Sequence, residues 1–207
     1  RGHRFDSDIL HKRKYMKILI IGAPRTGTTS LTEGLGAAMG ISYRVIREPY
    51  NYHKVKFFGF EYSYPYKWRK DCVVKMLVDQ VPKEFDGNHV EFFNQVSTEF
   101  DRVIILKREG FDDAVLSYQY AMANNAWHED YSIEENYDTT SHGWFVGKCY
   151  DMLHEIQASL GIPFTWYEDI YSGDKGKIDL FIKENRLNLD YDKLFSWINP
   201  KRRYRKV

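Results

Sequence analysis

Strand-length apolar runs that alternate with helix-length amphipathic stretches predict an α/β protein with a central parallel β-sheet flanked by helices. Lys17 to Ile21 (KILII) and Arg102 to Leu106 (RVIIL) are mostly apolar runs, as in strands buried on both faces. Each is followed by a turn and then a helical stretch, Thr28 to Met39 and Phe111 to about Asn124. Parallel strands need such crossovers, which are right-handed, and the ligands of these sheets gather beyond the carboxyl ends of the strands.

Taken in order, the first helix closes on Gly40, a residue suited to the left-handed C-terminal cap. A strand returns near Tyr43 to Ile46, and Cys72 to Leu77 is a further apolar run. His89 to Phe100 carries Val90, Phe93, Val96 and Phe100 at helical spacing. After the Arg102 strand and its helix come a helix from about His142 to Leu160 and a strand from Phe164 to Tyr167. Two stretches break the rhythm. Residues 57–69 (FFGFEYSYPYKWR) hold seven aromatics and read as an insertion or a peripheral strand pair. Most of those rings are expected to pack on the sheet edge, with a minority left for ligand contact. Residues 125–140 are acidic and lack periodicity, as in a long loop that covers an active site. There is no internal repeat.

With 207 residues, 43% of them hydrophobic, the chain can bury one full core, and residues 16–207 are read as a single domain. Residues 1–15 are an extension, either sequence added ahead of a natural start at Met16 or a short native basic arm. Lys and Arg number 30 against 29 Asp and Glu, a net charge of +1, so no global field favours nucleic acid and any anion site is local. The two cysteines fit neither a disulfide framework nor a metal motif, and a cytoplasmic setting is expected. No apolar run approaches the ~20 residues of a membrane span, and residues 1–15 lack a secretion signal's apolar core.

The stretch KILIIGAPRTGTTSL, Lys17 to Leu31, runs a strand into a glycine-containing turn and then into a helix. Backbone N–H groups at such a helix start have no intrahelical partner, and the helix dipole adds positive potential there. Gly22, four residues and Gly27 fit the spacing of a phosphate-binding P-loop, which would continue with Lys and then Ser or Thr. Thr28 and Thr29 follow instead. The lysine that reads the terminal phosphates of a nucleoside triphosphate is missing, and the cation sits earlier, at Arg25. The second constellation is Arg108, ending the Arg102 strand, with Ser117 nine positions later in the following helix. A guanidinium offers bidentate bonding to phosphate, about 1.5–3 kcal/mol per charge-assisted bond. The two constellations fit a donor with phosphate at two places.

The chain resembles the sulfotransferase family, in the branch of bacterial and Golgi-type enzymes. Its 5′-phosphosulfate loop is matched by Pro24, Arg25, Thr26, Gly27, Thr28 and Thr29. Its 3′-phosphate arginine and serine are matched by Arg108 and Ser117, with Asp113 at a position where the family often has Asp and Gly110 in place of a usual proline. Tyr167, Glu168 and Asp169 are similar to a structural Tyr-Glu-Asp of the family. The resemblance implies a P-loop-related sulfotransferase fold and transfer of a sulfuryl group from 3′-phosphoadenosine 5′-phosphosulfate (PAPS) to a hydroxyl or amine acceptor by in-line displacement. Arg25 and the N–H groups of Gly27 to Ser30 would stabilise the leaving phosphate, without a metal, and Arg202 and Arg203 of the basic tail would close over the 3′-phosphate.

The acceptor side is less defined. The histidine that many cytosolic members carry after Lys-Thr on a central strand is absent from Val74-Lys75-Met76-Leu77. Another branch uses a glutamate after the second strand, which implies Glu48 as catalytic base, with Asp79 and His53 behind it. A small-molecule, carbohydrate or lipid acceptor is expected, and the oligomeric state is open. A P-loop nucleoside or nucleotide kinase, with Asp79 as its magnesium ligand, and a non-catalytic nucleotide-binding module are the competing readings.

Overall fold

The computed structural model describes residues 15–51, 64–124 and 140–198. Five strands form its sheet: β1 (Lys17–Gly22), β2 (Val45–Arg47), β3 (Cys72–Leu77), β4 (Arg102–Lys107) and β5 (Phe164–Trp166). They lie in the order β2-β3-β1-β4-β5, with every pairing parallel. Among the described residues, seven α-helices connect and flank them: α1 (Thr28–Ala38), α2 (His89–Ser97), α3 (Phe111–Asn124), α4 (Thr140–Leu160), α5 (Tyr167–Ile170), α6 (Lys175–Glu184) and α7 (Tyr191–Ile198).

Side chains of β1 alternate between two apolar layers, as the strand's period of two requires. Ile18 and Ile20 join Leu31 and Leu35 of α1, Ile178 and Phe181 of α6, and Leu194 and Ile198 of α7. Leu19 and Ile21 face the other way, toward Phe92, Phe93 and Val96 of α2, Ala114 and Val115 of α3, and Val146, Leu153 and Ile156 of α4. Ile18 to Ile21 are all at 0% exposure, which explains a run with no polar interruption. Each such side chain contributes about 1.5–3 kcal/mol by leaving water. The edge strands are only three residues long, and β2 ends on the exposed Arg47, so neither edge offers much unpaired ladder.

Most expected elements appear where the pattern puts them. The second strand is shifted: Ser42–Arg44 forms a 3-10 turn, and the strand occupies Val45–Arg47 rather than Tyr43 to Ile46. The helix expected to run to Phe100 stops at Ser97, where Thr98 turns its hydroxyl onto the carbonyl of Gln95. Helices α5, α6 and α7 have no counterpart in the pattern reading. Within the aromatic stretch, Tyr64 and Trp68 pack with Tyr50, Phe85, Phe92 and Phe100 against the α2 side of the sheet, as expected of core material. Residues 57–63, the acidic segment 125–139, His53, Arg202 and Arg203 lie outside the described residues. Among the described residues, no helix is long and apolar enough to cross a membrane.

Candidate functional site

Strand β1 lies between β3 and β4, the point about which the strand order reverses, so its carboxyl end opens onto the crevice where ligands of open α/β sheets sit. The turn that follows is tight. A Cβ placed on Gly22 would lie 2.5 Å from Thr28 Cγ2 and 2.8 Å from Thr26 Oγ1, because the turn folds back over the strand end. Thr26 is fully buried, and its hydroxyl donates to the carbonyl of Ala23 at 2.8 Å, closing the turn from inside. Arg25 (φ 64°) and Gly27 (φ 80°) both take left-handed backbone conformations. For arginine this costs on the order of 1 kcal/mol and persists only where the surroundings enforce it.

Gly27 is the N-cap of α1 and has no side chain to cap with. Its carbonyl accepts from the N–H of Leu31 at 3.2 Å and from the Tyr171 hydroxyl at 2.6 Å. Tyr167 and Tyr171 stand so close that a Cβ at Gly27 would come within 2.7–2.8 Å of their rings. Two aromatic rings from the end of β5 thus clamp the turn while the N–H groups of Thr28 to Ser30 begin the helix without intrahelical acceptors. Thr28 is buried, so its methyl packs over Gly22.

The two motifs meet directly. Arg25 Nε donates to Ser117 Oγ at 2.9 Å, across 92 residues of sequence. Ser117 is 8% exposed, not a solvent-facing helix residue. One turn earlier on the same face of α3, Asp113 accepts from Arg108 Nη2 at 3.1 Å. The Arg108 guanidinium also lies over the Tyr167 ring, 4.8 Å from its centre, and its Nε is buried with no hydrogen-bond partner among the described residues. Arg25, Arg108 and Ser117 therefore share one side of the β1–β4 crevice, and an unpartnered buried donor there is the kind of group an anion satisfies. The Tyr-Glu-Asp segment supports them. Glu168 accepts from the N–H groups of Glu109 and Gly110 at 3.0 and 3.4 Å and so caps the start of α3. Tyr150 donates to the Arg108 carbonyl at 3.1 Å, and burial pushes its hydroxyl up to about 12.

On the other side of β1 stands a group that pattern reading passed over. Lys75, in the middle of β3, is 5% exposed; its Nζ donates to Thr29 Oγ1 at 2.8 Å and to Glu48 Oε1 at 2.5 Å. Glu48 Oε2 accepts from Asn51 Nδ2 at 2.7 Å and Gln80 Nε2 at 3.2 Å. The side chains of the ion pair are 6% and 9% exposed. Glu48 thus reaches the cradle through Lys75. The signal for Lys75 was a single cation inside an apolar strand, VVKMLV, which cannot be buried without a partner.

Asp79 is exposed beyond β3. Its charge adds to burial in raising the Tyr118 hydroxyl and in pushing the Cys149 thiol up to about 12. Cys72 and Cys149 are both buried and unpaired. Among the described residues, no group of three or more His, Cys, Asp or Glu side chains is placed to hold a metal ion. No protein-family profile matches the chain, and no curated protein matches it either.

Proposed function

We propose that this protein is a sulfotransferase of the P-loop-related type, moving a sulfuryl group from PAPS to a hydroxyl-bearing acceptor. The observation that carries the reading is the Arg25–Ser117 bond, which joins a phosphate-type cradle to a second cationic station at Arg108. Two anion stations side by side fit a donor phosphorylated at both 5′ and 3′ positions, and Thr28 in place of the P-loop lysine argues against a nucleoside triphosphate.

In this reading the turn from Pro24 to Ser30 receives the 5′-phosphosulfate, with Arg25 and the first N–H groups of α1 opposing charge on the leaving phosphate oxygen. Arg108 and Ser117 take the 3′-phosphate, and Tyr167 keeps the Arg108 plane oriented. The acceptor oxygen bonds to sulfur as the bond from sulfur to the phosphate oxygen breaks, the electron pair going to that phosphate and the acceptor's hydroxyl proton to solvent water. Lys75 and Glu48 set the charge on the β3 side of the cradle.

The test is calorimetric. Arg108→Ala is expected to weaken 3′-phosphoadenosine 5′-phosphate about 10- to 100-fold, the worth of one charge-assisted contact, and adenosine 5′-phosphate by less than about threefold. Equal losses for both ligands, or magnesium-dependent turnover of ATP with no sulfate transfer from PAPS, would overturn the reading.

A further inference from the structure

We propose that Glu48 is a positioning residue, acting through Lys75 and Thr29 on the anion cradle, in place of the base role that its position after β2 implies. Both carboxylate oxygens already accept hydrogen bonds: Oε1 from Lys75 at 2.5 Å, Oε2 from Asn51 at 2.7 Å and Gln80 at 3.2 Å. A proton taken up by Oε2 would displace one of its two donors, and one taken up by Oε1 would cancel the charge that holds the Lys75 ammonium. The backbone grips the same lysine, since the Glu48 N–H donates to the Lys75 carbonyl at 2.8 Å and continues the β2–β3 ladder past Arg47. Glu48 does this at φ 52°, a left-handed conformation that a non-glycine residue keeps only where its surroundings over-determine it.

Downstream, Lys75 Nζ donates to the Thr29 hydroxyl at 2.8 Å. A hydroxyl that accepts from an ammonium turns its own hydrogen elsewhere, so Thr29 is set as a donor. Thr29 is the second residue of α1, where the first-turn N–H groups and the dipole already favour an anion. A bare ammonium is badly placed beneath a helix N-terminus; the Glu48 charge offsets that repulsion and fixes where the cation stands. Asn51 and Gln80, Glu48, Lys75 and Thr29 form one relay of orientation from the loops after β2 and β3 to the cradle.

The inference rests on the transferase reading for its turnover measurement and on the cradle alone for its spectroscopic one. With 15N-lysine in the full chain, the Lys75 Nζ resonance, assigned by its loss in Glu48→Gln/Lys75→Met, is expected to shift on adding inorganic phosphate. In Glu48→Gln that response is expected to fall at least threefold. In sulfate transfer from PAPS, Glu48→Gln and the double variant, which removes both buried charges together, are expected to agree within about threefold, because Lys75 is already misplaced in the single variant. A further tenfold loss in the double variant would show Glu48 and Lys75 acting independently and overturn the proposal, as would a Lys75 resonance indifferent to phosphate in the unmodified protein. Phosphate response without sulfate transfer would instead remove only the transferase reading.

Discussion

Lys75 and Lys107 come from the two strands that flank β1, and the protein holds their charges by opposite means. Lys75 is buried and bonded to a carboxylate and a hydroxyl. Lys107, at the end of β4, stands among the rings of Tyr150, Phe164 and Trp166, with Nζ 5.1–5.6 Å from their centres and 2.7 Å from His154 Nε2. Ring faces and nearby water suffice for a half-buried ammonium, whereas one enclosed in the sheet needs a counter-charge. The first arrangement points at the cradle and the second at an outer corner of the sheet. Position within the sheet, not residue type, decides whether a lysine's charge is met by a carboxylate or by ring faces.

The contrast is sharpest in stability. Lys75→Met leaves the buried Glu48 carboxylate without its ammonium counter-charge and is expected to lower the unfolding free energy by about 3–5 kcal/mol in urea titrations, with most of the loss recovered by adding Glu48→Gln. A loss below about 1 kcal/mol would erase the difference between the two lysines. Lys107→Met keeps the stem against the rings and replaces the ammonium with a polarisable sulfur, so a loss of under about 1 kcal/mol is expected in the same titrations.

The smallest effect lies in alkaline pH. Burial lowers the Lys107 pKa below its ordinary value, so between the folded and unfolded values the unfolded chain binds more protons and this group makes stability rise with pH. Burial acts oppositely on the Cys72 thiol, pushed up to about 11, and on the Cys149 thiol and Tyr150 hydroxyl, each pushed up to about 12. Those three groups stay protonated in the fold after the unfolded chain has lost its protons, and they make stability fall as pH rises. The net slope is expected to be downward above about pH 8.5, where free thiols begin to ionise. Lys107→Met is expected to steepen it, as read from melting temperatures between pH 8 and 11.

Legibility in the sequence followed how local each constraint is. Strand β3 and helix α3 begin and end where their apolar runs and periodicity do, because β3 is buried along nearly its whole length and α3 along one face. β2 is a three-residue edge strand preceded by a 3-10 turn, too short for a period to fix its ends. α6 presents two buried apolar side chains among lysines and acids and leaves a faint stripe, and α7 is only eight residues long, about two turns in which to show a period. The cradle was legible because glycine spacing and a Thr/Ser helix start are local requirements. The nine-residue step from Arg108 to Ser117 was legible as the arginine-serine spacing of the family the chain resembles, but that Ser117 meets Arg25 is decided by the sheet order. Lys75 was read for the histidine its strand lacks, and the partner that permits its burial comes from another strand.

The Tyr171 hydroxyl on the Gly27 carbonyl spans 144 residues and has no trace in the opening motif. It also sets a timetable. During synthesis from the N-terminus, β1 and the first turn of α1 emerge long before β5, and the rings that clamp Gly27 arrive only with Tyr167 and Tyr171. A nascent chain halted before that point carries the whole glycine-rich motif yet lacks the clamp that fixes it, so the proposed anion site is among the last parts of the molecule to become complete.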